Sequence, residues 1–361
     1  MTILLFIAGL TLLIVGAEAL VRGASRLAAT FGVSPLVIGL TVVAFGTSSP
    51  ELAVGVKAAL SGQAGIVLGN VIGSNIFNVL FILGISALIT PLVVSQQLVR
   101  LDVPLMIVLS VLVLFFAFDG NISRLEGLTL VLGLGGYVWF SIYQSRRENA
   151  AVKAEYAKEF DGERKGRGNP MRNLALVAAG LGLLVLGSRW LVDSAVSFAQ
   201  YLGVSELVIG LTIVAAGTSL PEVVTSIVAA LRGERDIAVG NVVGSNLLNI
   251  MGVLGVAGLA APGGIEVSAA AIRFDLPVMI AVAFACLPIF FTGGAISRQE
   301  GALLLGYYLA YMLYVVLAAS HHDSLPGFGA AMLYFVIPLT VVTMLIVAMR
   351  EIISRKRRRP G

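Results

Sequence analysis

Apolar runs longer than about 18 residues recur along this chain, and each commits its stretch of backbone to a bilayer. Inside hydrocarbon every peptide N–H and C=O must be paired within the protein, so a spanning segment is a helix or part of a closed barrel. Runs of roughly 20 residues have helix length and about twice the length of a barrel strand. Eleven segments are predicted to span: 2–25, 35–60, 65–89, 101–118, 124–144, 173–198, 206–231, 237–261, 274–291, 298–319 and 328–350. Composition agrees, since 58% of the 361 residues are hydrophobic and 12% charged, against roughly 45–50% and 25% in a soluble domain. The first run lacks a basic leader and a small-residue cleavage site, so it reads as a retained span. Cys286, the single cysteine, lies in an apolar run and reads as a small buried hydrophobe, with no disulfide within the chain.

Loop charge predicts the orientation. The polar linker 145–172 and the tail beyond Arg350 hold most of the basic residues, and with both in the cytoplasm 20 of the 24 Lys and Arg lie on that side. Eleven spans then put the N-terminus outside and the C-terminus in the cytoplasm, in a plasma membrane of the bacterial inner-membrane type. The net charge of +4 reports this loop placement and points to no nucleic-acid partner; the bilayer is the expected surrounding, and no obligate protein partner is evident.

The chain repeats itself. Residues 32–84 match residues 203–255 at a constant offset of 171, and weaker echoes follow: Arg100-Leu101-Asp102-Val103-Pro104 with Arg273-Phe274-Asp275-Leu276-Pro277, and Ile122-Ser123-Arg124 with Ile296-Ser297-Arg298. Five spans separate equivalent positions, and an odd number inserts the second copy upside down. The fold class expected is an all-α polytopic membrane protein of two inverted five-helix repeats, 1–144 and 173–320, joined by the charged linker 145–172. A C-terminal eleventh helix and basic tail occupy 321–361. Secondary transporters are built this way, with the substrate near the midplane where the copies meet.

The best-matched positions are polar. Of the acidic residues only Glu51 and Glu222 fall mid-span, and the others lie in the linker or near span ends. An ionised carboxylate at that depth costs a few kcal/mol and normally serves a function. No Lys or Arg stands mid-span in either copy, so a dissolved cation is the natural partner. Each glutamate ends a Gly-Thr-Ser-x-Pro-Glu segment, Gly46–Glu51 and Gly217–Glu222. Pro50 and Pro221 cannot donate to the carbonyls of Gly46 and Gly217, which loosens the helix there. Ser48 shares a helix face with Glu51, as Ser219 does with Glu222, and Thr47 and Thr218 add hydroxyls. Carbonyl, hydroxyl and carboxylate oxygens suit a hard cation such as Ca²⁺, and the absence of Cys and His from the motif argues against Zn²⁺ or Cu⁺.

The next span of each copy carries Gly-Asn-Val-x-Gly-Ser-Asn-x-x-Asn, Gly69–Asn78 and Gly240–Asn249. Its paired glycines permit close helix approach. Ser74 with Asn78, and Ser245 with Asn249, share i,i+4 faces and are expected to complete the oxygen shell opposite the glutamates. Asn70, Asn75, Asn241 and Asn246 read equally as ligands or as clamps on broken helices.

These paired motifs resemble the alpha repeats of the sodium/calcium exchanger family, within the calcium:cation antiporter superfamily. The resemblance covers the whole length in architecture and implies a prokaryotic calcium/sodium antiporter with ten core helices and four cation sites between the repeats. It implies as ligands Glu51, Glu222, Ser48, Ser219, Thr47, Thr218, Ser74, Ser245, Asn78 and Asn249, and the backbone carbonyls of Ala44 and Ala215. Potassium-dependent relatives carry aspartate where Asn249 stands, which argues against potassium co-transport here. The last span lies outside the usual ten, and the regulatory calcium-binding domain of animal exchangers has no counterpart.

The expected activity is exchange of Ca²⁺ for Na⁺ by alternating access, with these ions bound as cargo and no cofactor. Two ionised glutamates give the site a charge near −2, which one Ca²⁺ or two Na⁺ cancels. Returning uncompensated is costly, so ions alternate rather than leak. The same carboxylates would also accept protons, leaving a Ca²⁺/H⁺ antiporter as the alternative on this fold. An intramembrane hydrolase using Ser48 or Ser219 lacks a base, because the only histidines, His321 and His322, stand in a loop without a repeat counterpart; an enzyme is not expected. A passive channel would conduct without a counter-ion.

Overall fold

The structure, a computed structural model, describes residues 2–147, 170–202, 215–291, 294–320, 322 and 324–342. Helices α1 (Thr2–Phe31), α2 (Pro35–Thr47), α3 (Ser49–Leu60), α4 (Ala64–Ile89), α5 (Leu98–Asp119) and α6 (Arg124–Arg147) make up the first half. The second contains α7 (Pro170–Tyr201), a short turn Ala215–Gly217, α8 (Leu220–Leu231), α9 (Arg235–Ala260), α10 (Ala271–Phe291) and α11 (Arg298–Ala319), with α12 (Leu325–Val342) after it. Among the described residues nine helices are long and apolar enough to cross a membrane, and α2 with α3 forms a tenth span bent by 49°. The fold is therefore the expected all-α membrane protein. The start of the 206–231 span, most of the linker and the end of the 328–350 span lie outside the described residues, as does the basic tail.

Local chemistry sets the helix ends. Ser34 caps α2, its Oγ accepting from the Val37 N–H at 3.3 Å, and Pro35 occupies the first turn, where its missing N–H costs nothing. Both copies open their last helix with one capping box. Ser123 pairs with Glu126 at α6, Ser297 with Glu300 at α11, each serine N–H donating to the glutamate carboxylate.

The copies interlock rather than stand side by side. Near the helix ends β1 (Leu92–Val93) pairs antiparallel with β4 (Ala295–Ile296), and β2 (Asn121–Ile122) with β3 (Ile265–Glu266). Each two-residue strand thus takes its partner from the other half. Helices α1 and α7 lie antiparallel: a Cβ on Gly9 would strike the Leu191 backbone, one on Gly16 that of Gly180 and Leu184, and one on Gly23 that of Asn173. Antiparallel first helices are what an inverted copy requires. At the centre α9 and α4 are the most buried helices, whereas α11 and α12 are the least.

The glycine faces of the two copies differ from the expectation. Gly240 and Gly244 do admit a close neighbour, since a Cβ there would lie 2.8 Å from the Leu36 carbonyl oxygen and 2.6 Å from the Leu40 backbone. Gly69 and Gly73 instead border a cavity of about 430 Å³, and no described atom lies within 4 Å of a Cβ on either. Cys286 is buried as read, its thiol 3.7 Å from the Val282 carbonyl.

Candidate cation-binding site

The proline motif breaks both helices at its serine. Ser48 has φ −82° and ψ 8°, and Ser219 has φ −88° and ψ 7°, just before α3 and α8. Glu51 and Glu222 follow in the first turn of the resumed helices, each 1% exposed. Their hydroxyl partners come from across the repeat boundary. Ser219 Oγ donates to Glu51 Oε1 at 2.9 Å, and Ser48 Oγ donates to Glu222 Oε1 at 2.9 Å. The face shared within one helix is therefore not how serine meets carboxylate; the two broken turns approach each other and exchange partners.

The carbonyls freed by the prolines find partners within the protein. Gly46 O accepts from Ser49 Oγ at 2.7 Å, and Gly217 O accepts from Ser188 Oγ of α7 at 2.7 Å. Each cap exists because the sequence departs from repeat symmetry: Leu220 stands opposite Ser49, and Ala17 opposite Ser188. The Ala44 carbonyl accepts the Ser48 N–H at 2.9 Å, while Ala215 opens the turn Ala215–Gly217.

The asparagines divide into two groups. Asn70 Nδ2 donates to the Glu51 carbonyl at 3.0 Å and Asn241 Nδ2 to that of Glu222 at 3.4 Å, so these two clamp the glutamate backbones. Asn75 and Asn246 clasp each other across the repeats, each Nδ2 donating to the other's carbonyl, at 3.5 and 3.3 Å. Their side-chain oxygens accept in turn, Asn246 from Asn78 Nδ2 at 3.0 Å and Asn75 from Asn249 Nδ2 at 3.1 Å. With both amide nitrogens engaged, Asn78 Oδ1 and Asn249 Oδ1 are left turned away from any donor.

Among the residues of the two motifs five buried oxygens have no hydrogen-bond partner: Glu51 Oε2, Glu222 Oε2, Asn78 Oδ1, Asn249 Oδ1 and Ser245 Oγ. Ser74 Oγ lies 3.3 Å from Ser219 Oγ. Thr47 and Ser245 stand within electrostatic reach of Glu222, and Thr218 within reach of Glu51. Thr47 also follows the ordinary pattern of a membrane threonine, bonding to the Val43 carbonyl at 3.1 Å and further to Asn241 Oδ1 at 3.1 Å. Among the described residues neither glutamate has an ion-pair partner. A buried acceptor without a donor costs about 1–3 kcal/mol and a carboxylate more.

Comparison with known proteins follows the same line. The model of the family described as sodium/calcium exchanger protein matches residues 1–143 and 172–317. The chain belongs to the sodium/calcium exchanger protein family. The exchanger MaX1 of Methanosarcina acetivorans is 35% identical over 86% of this chain and 97% of its own length. The inner membrane protein YrbG of Escherichia coli (strain K12) is 36% identical, over 85% and 94%. A solved structure of the sodium-calcium exchanger NCX_Mj superposes with a TM-score of 0.72 at 31% identity, covering 89% of this chain and 99% of that one. The chain is thus a multi-pass membrane cation antiporter and not an enzyme.

This exchanger also holds a third buried carboxylate. Asp102, which sequence reading leaves near a span end, is 0% exposed and accepts from Tyr137 Oη at 3.0 Å. A signal existed in the echo of Asp102 in Asp275 and of Tyr137 in Tyr311, each tyrosine 13 residues after its helix-opening arginine, Arg124 or Arg298. Nothing in the sequence signals the π-helical turns Asn78–Leu83 and Asn249–Leu254, which begin at the two asparagines that donate to the clasp.

Proposed function

We propose that this exchanger moves Ca²⁺ against Na⁺ by alternating access, at a midplane site built on Glu51 and Glu222. The observation that carries the reading is the pair of fully buried carboxylates, each tied at one oxygen by the other repeat's serine and left without a protein donor at the second. Ca²⁺ takes six to eight oxygens in a flexible shell. Ser48, Ser219, Thr47, Thr218, Ser74, Ser245, Asn78 and Asn249 supply uncharged oxygens around the two charges, with the carbonyls of Ala44 and Ala215 as further members. The formal charge of −2 matches one Ca²⁺ or two Na⁺. With asparagine at 249 there is no third charge to hold K⁺ as well. The halves 1–144 and 173–320 act as the two faces of one site.

The deciding experiment loads proteoliposomes with Na⁺ and follows radiocalcium entry. Uptake that needs the outward Na⁺ gradient is the expected result. Uptake driven by a pH gradient and indifferent to Na⁺ would replace this reading with Ca²⁺/H⁺ antiport, and flux without any counter-ion would make the protein a channel. The positive-inside bias places the N-terminus outside and the tail in the cytoplasm of a bacterial inner membrane; a C-terminal reporter fusion active only in the periplasm would reverse that orientation.

A further inference from the structure

Outside the cation site the two repeats carry a second duplicated feature, and the structure holds its two copies in different states. Asp102 on α5 is sealed from solvent, bonded to Tyr137 on α6 at 3.0 Å, with its Oδ2 lacking any hydrogen-bond donor. Its counterpart Asp275 on α10 is only half-buried and, with Tyr311 on α11, borders the 430 Å³ cavity. Asp275 and Tyr311 are close enough to interact electrostatically, but no hydrogen bond joins them. The adjacent helices follow the same division. Gly69 and Gly73 of α4 border the cavity around Asp275, whereas Gly240 and Gly244 of α9 are packed against α2.

We infer that Asp102–Tyr137 and Asp275–Tyr311 are a matched pair of seals: one is shut in this structure, the other opens onto the cavity, and passage to the opposite-facing state exchanges them. The inference rests on the alternating-access reading above. Removing a carboxyl group from water is costly, and a single hydroxyl donor offsets only part of that cost. A lone sealed aspartate would therefore bias a transporter toward the state that wets it. With an inverted copy, sealing one aspartate releases the other, so the two costs cancel and neither facing state is favoured. The tyrosine of each pair supplies its hydrogen bond only when its own side is shut.

The seals act on the conformational equilibrium, so the test reads accessibility rather than flux. In a Cys286→Ser background, Gly69→Cys places a thiol at the cavity, where a Cβ meets no described atom within 4 Å. Labelling by a membrane-impermeant maleimide is followed in proteoliposomes, with every variant in the same buffer and its rate compared with that of Gly69→Cys alone. Asp102→Asn makes the shut seal cheaper and should raise the rate, whereas Asp275→Asn favours the opposite state and should lower it. Tyr137→Phe removes a bond made only in this state and should lower labelling, and Tyr311→Phe should raise it, each by about fivefold as expected for one buried hydrogen bond. Two rises and two falls in that pattern support the seals. Four changes of one sign, or none, overturn them. Because labelling does not depend on which ion is carried, a failure of the Ca²⁺/Na⁺ reading would show in the flux assay and leave this sign pattern intact.

Discussion

Replacing Glu51 by glutamine isolates the electrostatic core of the exchanger. The substitution keeps side-chain size and an oxygen to which Ser219 can donate, so it changes one unit of charge and little else. Both carboxylates are 1% exposed and lack an ion-pair partner among the described residues, so the proposed function leaves their compensation to the cargo. In Glu51→Gln a bound Ca²⁺ leaves a net +1 inside the membrane. A unit charge at bilayer depth costs at least about 2.5–3.5 kcal/mol, and each 1.4 kcal/mol is about tenfold. Sodium-driven Ca²⁺ uptake should thus fall about 100-fold or more, before counting the weaker ligand. One Na⁺ leaves the variant site neutral, so radiosodium self-exchange should persist with a single ion per crossing. Glu222→Gln should behave alike, because its Oε1 is held at the same 2.9 Å by Ser48. Both fluxes are measured in proteoliposomes at matched protein density. Radiocalcium uptake within about threefold of wild type in either variant would refute the charge-compensation account.

Three further outcomes follow from packing and hydrogen bonding. Gly244→Ala puts a methyl 2.6 Å from the Leu40 backbone and should cost about 1–3 kcal/mol, visible as a lower melting temperature in detergent, while Gly73→Ala at the cavity should melt near wild type; equal melting of the pair would contradict the asymmetric packing. Asn246→Leu leaves the Asn78 amide and the Asn75 carbonyl without partners and should cost about 3 kcal/mol; an unchanged melting curve counts against the clasp. Ser188→Ala uncaps the Gly217 carbonyl at a cost of about 1–3 kcal/mol, and adding Leu220→Ser, which copies Ser49, should restore stability; absence of rescue would show that the cap is not local.

The elements legible in the sequence are those fixed by one strong energy term. Where the described residues cover a predicted span, apolar runs over charge-free stretches located it to within a few residues, because lipid tolerates no other backbone. Glu51 and Glu222 stood out because an intramembrane charge is costly. What the constant offset could not reveal was contact. It says that Ser48 and Ser219 are equivalent, not that each serves the other's glutamate. The role of Asn75 and Asn246 stayed open for the same reason, since a mutual clasp across two helices leaves no spacing signature. The capping of Gly46 and Gly217 depended on Ser49 and Ser188, two places where the repeats differ and where a search for similarity does not look. Asp102 escaped because its burial is seen only once α6 brings Tyr137 against it, which distance from a span boundary does not show.

The exchanged hydrogen bonds also constrain which part of the exchanger can move. Ser48–Glu222, Ser219–Glu51 and the asparagine clasp all bridge the repeats, so pulling α3 and α4 away from α8 and α9 would strip donors from both carboxylates at once. Among the described residues the α1–α7 pair has no such ties to the carboxylates. Its interface is backbone against backbone at Gly9, Gly16, Gly180 and Gly187, with the side chains of Leu12, Val177 and Leu183 packed beside the glycines of the facing helix. Leu181 and Val192 of α7 pass over Gly46 and Gly217, the two broken turns, at less than 3 Å from where a Cβ would stand. Helix α7 is itself tied to one broken turn by the Ser188 bond to the Gly217 carbonyl, which a shift along its axis would break. The glycines at the breaks are needed to admit Leu181 and Val192 as much as for the breaks themselves.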